Sequence, residues 1–154
     1  MMQETIRQRL KLKTNLLGQI LIKQGLITPN QLDEILAVQK KEGGLLGDLL
    51  IKKGHLTEEL ICSALASQTS LCYIPLDQYE VPKTMIKFVP EEIVRKYLCL
   101  PIEMIEGVLT LVINNPFDDK VINEVSRVSG LKIVCALSTR SQIEKAISKY
   151  YAKV

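Results

Sequence analysis

Residues 16–39 read LLGQILIKQGLITPNQLDEILAVQ, and residues 45–68 read LLGDLLIKKGHLTEELICSALASQ. They align at an offset of 29 residues with 11 of 24 positions identical. The identities are Leu16/Leu45, Leu17/Leu46, Gly18/Gly47, Leu21/Leu50, Ile22/Ile51, Lys23/Lys52, Gly25/Gly54, Thr28/Thr57, Leu36/Leu65, Ala37/Ala66 and Gln39/Gln68. Self-similarity at a fixed period means one supersecondary unit built twice. A unit built twice can offer the same group twice to a symmetric or extended ligand.

Each copy reads as a helix pair. Leu17, Ile20, Leu21 and Gln24 recur at helical spacing, and Gly25 stands where a left-handed cap ends a helix. Thr28 then serves as N-cap, with Pro29 at the first helical position and Gln31 three residues on, a capping-box pattern. Leu32, Ile35, Leu36 and Gln39 share the inner side of the second helix. The second copy repeats the plan: Gly54 stops a helix, Thr57 caps the next, Glu58 and Glu59 favour its positive end, and Ile61, Ala64, Leu65 and Gln68 continue the inner face. The joint Lys40-Lys41-Glu42-Gly43-Gly44 reads as a breaker between pairs.

Two helix pairs are too few for a free-standing solenoid, since stacked repeats need about three or more to bury a core. The rest of the chain supplies other elements. Residues 72–82 read as a Pro-bounded connector, and Pro90 opens a short helix. The runs 98–105 and 108–113 read as a hairpin turning at Glu106-Gly107, and 131–138 as a third strand. Between them lies a helix with Val121, Ile122, Val125 and Val128 inward, stopped by Gly130; Thr139 caps a last helix. The fold class is α+β: two tandem helix pairs, four helices, followed by a small α/β sandwich with a three-stranded sheet. The expected organisation is a basic leader over 1–14, a helix-pair subdomain over 15–71 and an α/β subdomain over 72–154.

The 154 residues are 47% hydrophobic and 24% charged, a globular composition. No apolar run approaches the ~18–20 residues of a membrane span, and the first residues lack a signal-peptide core, so a cytoplasmic address is expected. Net charge is +3, with 20 basic against 17 acidic residues and no Trp, which argues against a nucleic acid polymer as partner. Cys62, Cys72, Cys99 and Cys135 form no Cys-x-x-Cys pair and read as reduced, buried thiols. The single histidine, His55, replaces a leucine of the other copy. A zinc site and histidine-based acid–base catalysis lack raw material, no phosphate loop occurs, and the acid pairs each begin a helix. The chain reads as non-enzymatic, with no catalytic residue and no metal.

Among the repeated residues, Gly18 and Gly47 stand out. A glycine inside a helix costs up to about 1 kcal/mol and marks close approach of another backbone or a ligand. Gln39 and Gln68 each end an apolar stripe with an amide that can read a purine edge or a phosphate.

The doubled pattern Leu-Gly-x-x-aliphatic-aliphatic-x-x-Gly-aliphatic…Leu-x-x-x-Leu-x-x-Gln, with a five-residue spacer, resembles the MshEN-type domain. That is the N-terminal domain of type II secretion and type IV pilus assembly ATPases. The Asn-Pro-Phe-Asp stretch at 115–118 resembles the second half of that domain, and the likeness covers roughly 14–151. The resemblance implies a cyclic di-GMP site across the two copies. Leu17, Leu21, Ile22, Leu46, Leu50 and Ile51 would form apolar walls, Gly18 and Gly47 would admit the ligand, and Gln39 and Gln68 would anchor it, with Asn115 or Asp118 reading a guanine edge. The family motif opens Arg-Leu-Gly, whereas Leu16 and Leu45 hold the arginine positions here. Leucine offers neither the charge nor the donor fork of a guanidinium. Two readings follow from the resemblance. One is a regulatory or docking domain acting by protein–protein interaction, its partner a secretion or pilus assembly ATPase or an inner-membrane platform protein. The other is a cyclic di-GMP sensor with a degenerate motif.

Overall fold

A computed structural model describes residues 17–152, in two compact units that divide between Gln68 and Thr69. The expected leader and Leu16 lie outside the described residues.

The first unit is helical: α1 over residues 17–23, α2 Pro29–Glu42, α3 Leu46–Lys52 and α4 Glu58–Thr69. The two copies end their first helices with the same hydrogen bonds. Gly25 lies at φ +72°, with its N–H donating to Ile22 O and that of Leu26 to Leu21 O. Gly54 lies at φ +78°, with its N–H donating to Ile51 O and that of His55 to Leu50 O. This is the Schellman arrangement, which satisfies helix-end carbonyls and needs the left-handed backbone that glycine adopts without strain. Thr28 forms the expected capping box: its Oγ accepts from Gln31 N, and Gln31 Oε1 accepts from Thr28 N. Thr57 Oγ accepts from Leu60 N, and Glu58 and Glu59 occupy the first turn of α4.

The core of this unit follows the repeat. Ile20/Leu49, Leu21/Leu50, Ile27/Leu56, Leu32/Ile61 and Ile35/Ala64 are buried in one cluster, each pair 29 positions apart, and Leu46 joins them. Leu36 and Leu65, expected at the inner face, are half-buried against this cluster. The breaker between copies is shorter than expected, because α2 runs through Lys40, Lys41 and Glu42 to Gly43 at φ +75°. Lys40 and Lys41 favour the negative end of the helix dipole, so the last turn forms.

The second unit holds a sheet in the order β1-β2-β3, with β1 Cys99–Ile105, β2 Val108–Ile113 and β3 Lys132–Leu137. β1 and β2 are antiparallel, with a bulge between Pro101 and Glu103, and meet at the Glu106-Gly107 turn; β2 and β3 are parallel, connected through α6 Asp119–Ser129. A parallel pair needs such a crossover. α5 Glu91–Tyr97 precedes the sheet and α7 Arg140–Tyr150 follows it. The first strand begins one residue later than expected because Leu98, at φ +54°, turns the chain out of α5. In α6, Val121 and Val125 are buried and Ile122 half-buried, but Val128, expected inward, is exposed where the helix ends at Gly130.

The expected connector over 72–82 is built into the second unit. Tyr73 bridges Leu137 in parallel, with Leu137 N donating to Cys72 O and Ile74 N to Leu137 O. Gln142 of α7 fastens the same segment: its Oε1 accepts from Leu76 N and its Nε2 donates to Tyr73 Oη. Short 3-10 turns follow at Leu76–Gln78 and Lys83–Phe88.

Candidate functional site

The repeated residues divide by burial into core and surface. Leu21 and Leu50 have no exposed surface, and Leu46 is nearly as buried. Leu17, Ile22 and Ile51 are half-buried and pack on the same cluster. Of the six apolar groups expected to wall a ligand, three are thus enclosed in the core of the helix pairs and three keep part of their surface exposed.

Gly18 marks a close approach, but by a side chain of the partner helix, whereas Gly47 does not. A Cβ at Gly18 would lie 2.8 Å from Leu32 Cδ1 and 2.9 Å from Cδ2. A Cβ at Gly47 would lie 3.7 Å from two atoms of Ile61 and 4.0 Å from Leu17 Cδ2. Leu32 and Ile61 are equivalent positions, so in both copies the glycine faces the second helix of its own pair, but only Gly18 lacks room for a Cβ. The Leu17 contact joins the copies to each other.

Gln39 and Gln68 are not equivalent in the fold. Gln39 is half-buried, and its Nε2 donates to Gly44 O at 3.0 Å, closing the turn between α2 and α3. Gln68 is exposed near the end of α4. That difference lies in the turn that follows Gln39, which no residue spacing encodes.

Leu45 stands as N-cap of α3 and is 61% exposed. Its side chain makes no cap hydrogen bond. At a helix start, a residue with an oxygen would normally accept from the free N–H groups. An apolar group there has only contact area to offer. Glycines at positive φ precede it, Gly43 and Gly44.

Asn115 and Asp118 belong to the second unit. Asn115 Oδ1 accepts from Phe117 N, and Asp118, N-cap of α6, accepts from Lys120 N through Oδ1. Both carboxamide and carboxylate serve local backbone turns, the ordinary use of these residues.

The buried thiols Cys62 and Cys99 are poor nucleophiles. Burial pushes Cys62 up to about 12, with Glu59 and Glu58 adding to the effect, and burial pushes Cys99 to about 12 as well. Both remain protonated at neutral pH, and the thiol is far less reactive than the thiolate. Cys72, expected to be buried, is exposed, because the segment that carries it bonds to β3 through its backbone. Among the described residues, no group of His, Cys, Asp and Glu is arranged to hold a metal ion, and no helix is long and apolar enough to cross a membrane.

Leu45 has no donor, Gln39 has one amide hydrogen committed to Gly44, and Leu21 and Leu50 are enclosed.

Comparison with known proteins supplies the kinship. The chain is 28% identical over 137 residues to the type IV pilus assembly ATPase PilB of Myxococcus xanthus, covering 89% of this chain and 24% of that protein. It is equally identical, over 89% of this chain and 18% of that protein, to bacteriophage adsorption protein B of Escherichia coli. The chain therefore spans a quarter or less of the curated relatives it matches. Among solved structures, that of MshE with cdg is similar at a TM-score of 0.80 and 27% identity, covering 88% of this chain and 98% of that one. The N-terminal domain of XpsE shares the fold at a TM-score of 0.70 and 20% identity, over 86% of this chain and 92% of that one. The MshEN domain family matches residues 69–154, more than half of the sequence; with the doubled motif ahead of that segment, the chain belongs to the MshEN domain family.

Proposed function

We propose that this chain is a non-catalytic regulatory or docking domain of the cytoplasm that acts by protein–protein contact. Its partner is a secretion or pilus assembly ATPase, or an inner-membrane platform protein. The observation that carries this reading is Leu45, 61% exposed where the family motif has arginine. An exposed leucine favours an apolar protein surface over a phosphate. The relatives add support: the same region occurs in a pilus ATPase and in a phage adsorption protein, as a minor part of each. A module carried by different proteins is suited to docking.

A second reading is a cyclic di-GMP sensor with a degenerate motif. It is favoured by the MshE structure with cdg, which matches across both units of this chain. Arginine loss weighs against it, since each charge-assisted bond is worth about 1.5–3 kcal/mol.

Calorimetry with cyclic di-GMP separates the two. The wild type should bind weakly or not at all, and the paired change Leu16→Arg with Leu45→Arg should create binding that shrinks at high salt. Tight binding by the wild type would overturn the docking reading in favour of the sensor. A purified assembly ATPase should in turn lose affinity, about tenfold or more, for Leu45→Asp. An unchanged affinity would remove Leu45 from the docking surface.

A further inference from the structure

Gln31 and His55 join the two copies of the repeat through their side chains. Gln31 Nε2 lies 3.3 Å from His55 Nδ1, in a half-buried contact between the start of α2 and the turn after α3. The orientation of this amide is fixed by its other end. Gln31 Oε1 accepts from Thr28 N at 2.9 Å as part of the capping box. Turning the amide over would set an NH2 against that N–H, so Nε2 must be the group that faces the imidazole. Nδ1 must then be the acceptor, and the neutral ring carries its proton on Nε2.

We propose that the Gln31–His55 hydrogen bond is a proton-sensitive latch between the two copies. A proton added at Nδ1 places two donors face to face. The amide cannot answer by flipping without losing the cap of α2. Acid therefore breaks either the link between copies or the start of α2. The charged residues that flank the pair in the sequence are Lys52 and Lys53 before His55, Glu58 and Glu59 after it on α4, Asp33 and Glu34 after Gln31 on α2, and Lys23 at the end of α1. Among the described residues the ion pairs are Arg95 with Glu91 and Arg127 with Glu124, so none of these neighbours pairs with the imidazole. The latch belongs to this chain's own departure from its repeat: the positions equivalent to His55 and Gln31 are Leu26 and Leu60, which cannot form it.

The test compares wild type, His55→Leu and Gln31→Glu in the full chain between pH 8 and 5.5, above the range in which ordinary carboxylates titrate. Wild type should lose about 2–4 °C more in melting temperature than His55→Leu over that interval, the size expected for one weakened hydrogen bond in a chain of this length. Gln31→Glu keeps the capping box and sets an acceptor against the ring, so its melting temperature should fall less than that of His55→Leu. Because His55 is the only histidine, nitrogen chemical shifts of the ring report its tautomer without ambiguity. At pH 8 they should show Nδ1 unprotonated. Equal losses in wild type and His55→Leu would overturn the latch. So would a proton on Nδ1 at pH 8, a result that stands even if a variant fails to fold.

Discussion

Gly18 of α1 faces Leu32 of α2 so closely that a Cβ would lie within 3.0 Å of both Leu32 methyls. At the equivalent place in the second copy, Gly47 faces Ile61 with room for ordinary van der Waals contact. One repeated glycine thus meets two different constraints.

Alanine should separate them. Gly47→Ala gains helix propensity and should be neutral or stabilising by up to about 1 kcal/mol. Gly18→Ala makes the same gain but must displace a buried leucine, and overpacking costs about 1–3 kcal/mol, so the net effect should be destabilising. Denaturant melts of the two variants check the ordering. Combining Gly18→Ala with Leu32→Ala should cost less than the sum of the single changes, since contacting sites couple.

Burial within the repeat predicts a second contrast. Leu50→Ala empties a site with no exposed surface and should cost about 2–5 kcal/mol. Leu45→Ala should stay within about 0.5 kcal/mol, as surface changes do. Equal losses in chemical denaturation would mean that Leu45 is packed in solution.

The hairpin turn offers a gain. Glu106 and Gly107 stand at φ +50° and +79°, positive at both central positions as a type I′ turn requires. Glutamate tolerates that backbone less well than asparagine. Glu106→Asn should raise stability by about 0.5–1 kcal/mol, read as a higher denaturation midpoint at unchanged slope.

The buried acids predict an alkaline limit. Cys62 and Cys99 rise from 9.0 to about 12. Burial, the Cys99 thiol and Glu91 raise Tyr151, whose Oη donates to Val89 O at 2.8 Å. Each folded value lies above the unfolded one, so the stability these groups contribute is complete below about pH 9 and is lost as pH climbs toward the folded values. Unfolding free energy should fall between pH 9 and 11. Tyr151→Phe should lose about 1 kcal/mol at neutral pH with the hydrogen bond and show a shallower fall above pH 10. A slope as steep as wild type would clear Tyr151 of that role.

The local architecture was legible in the residues alone. A period of 29 residues announced two helix pairs, and glycine, threonine and the alternating apolar runs placed caps and strands within a residue or two, because those signals are read over one turn of chain. The repeated apolar positions also forecast the core, conservatively exchanged at Ile20/Leu49, Ile27/Leu56 and Leu32/Ile61, since equivalent side chains in equivalent helices meet similar neighbours. The rest came from packing across the fold. The tertiary structure alone showed that Gly18 seats Leu32, that Gln39 closes onto Gly44 while Gln68 stays in solvent, and that residues 72–76 are held on β3 and α7. These outcomes depend on which groups meet across the fold. A pattern that marks a residue as small, polar or unstructured leaves open whether its neighbour is a ligand, a partner or the protein's own side chain.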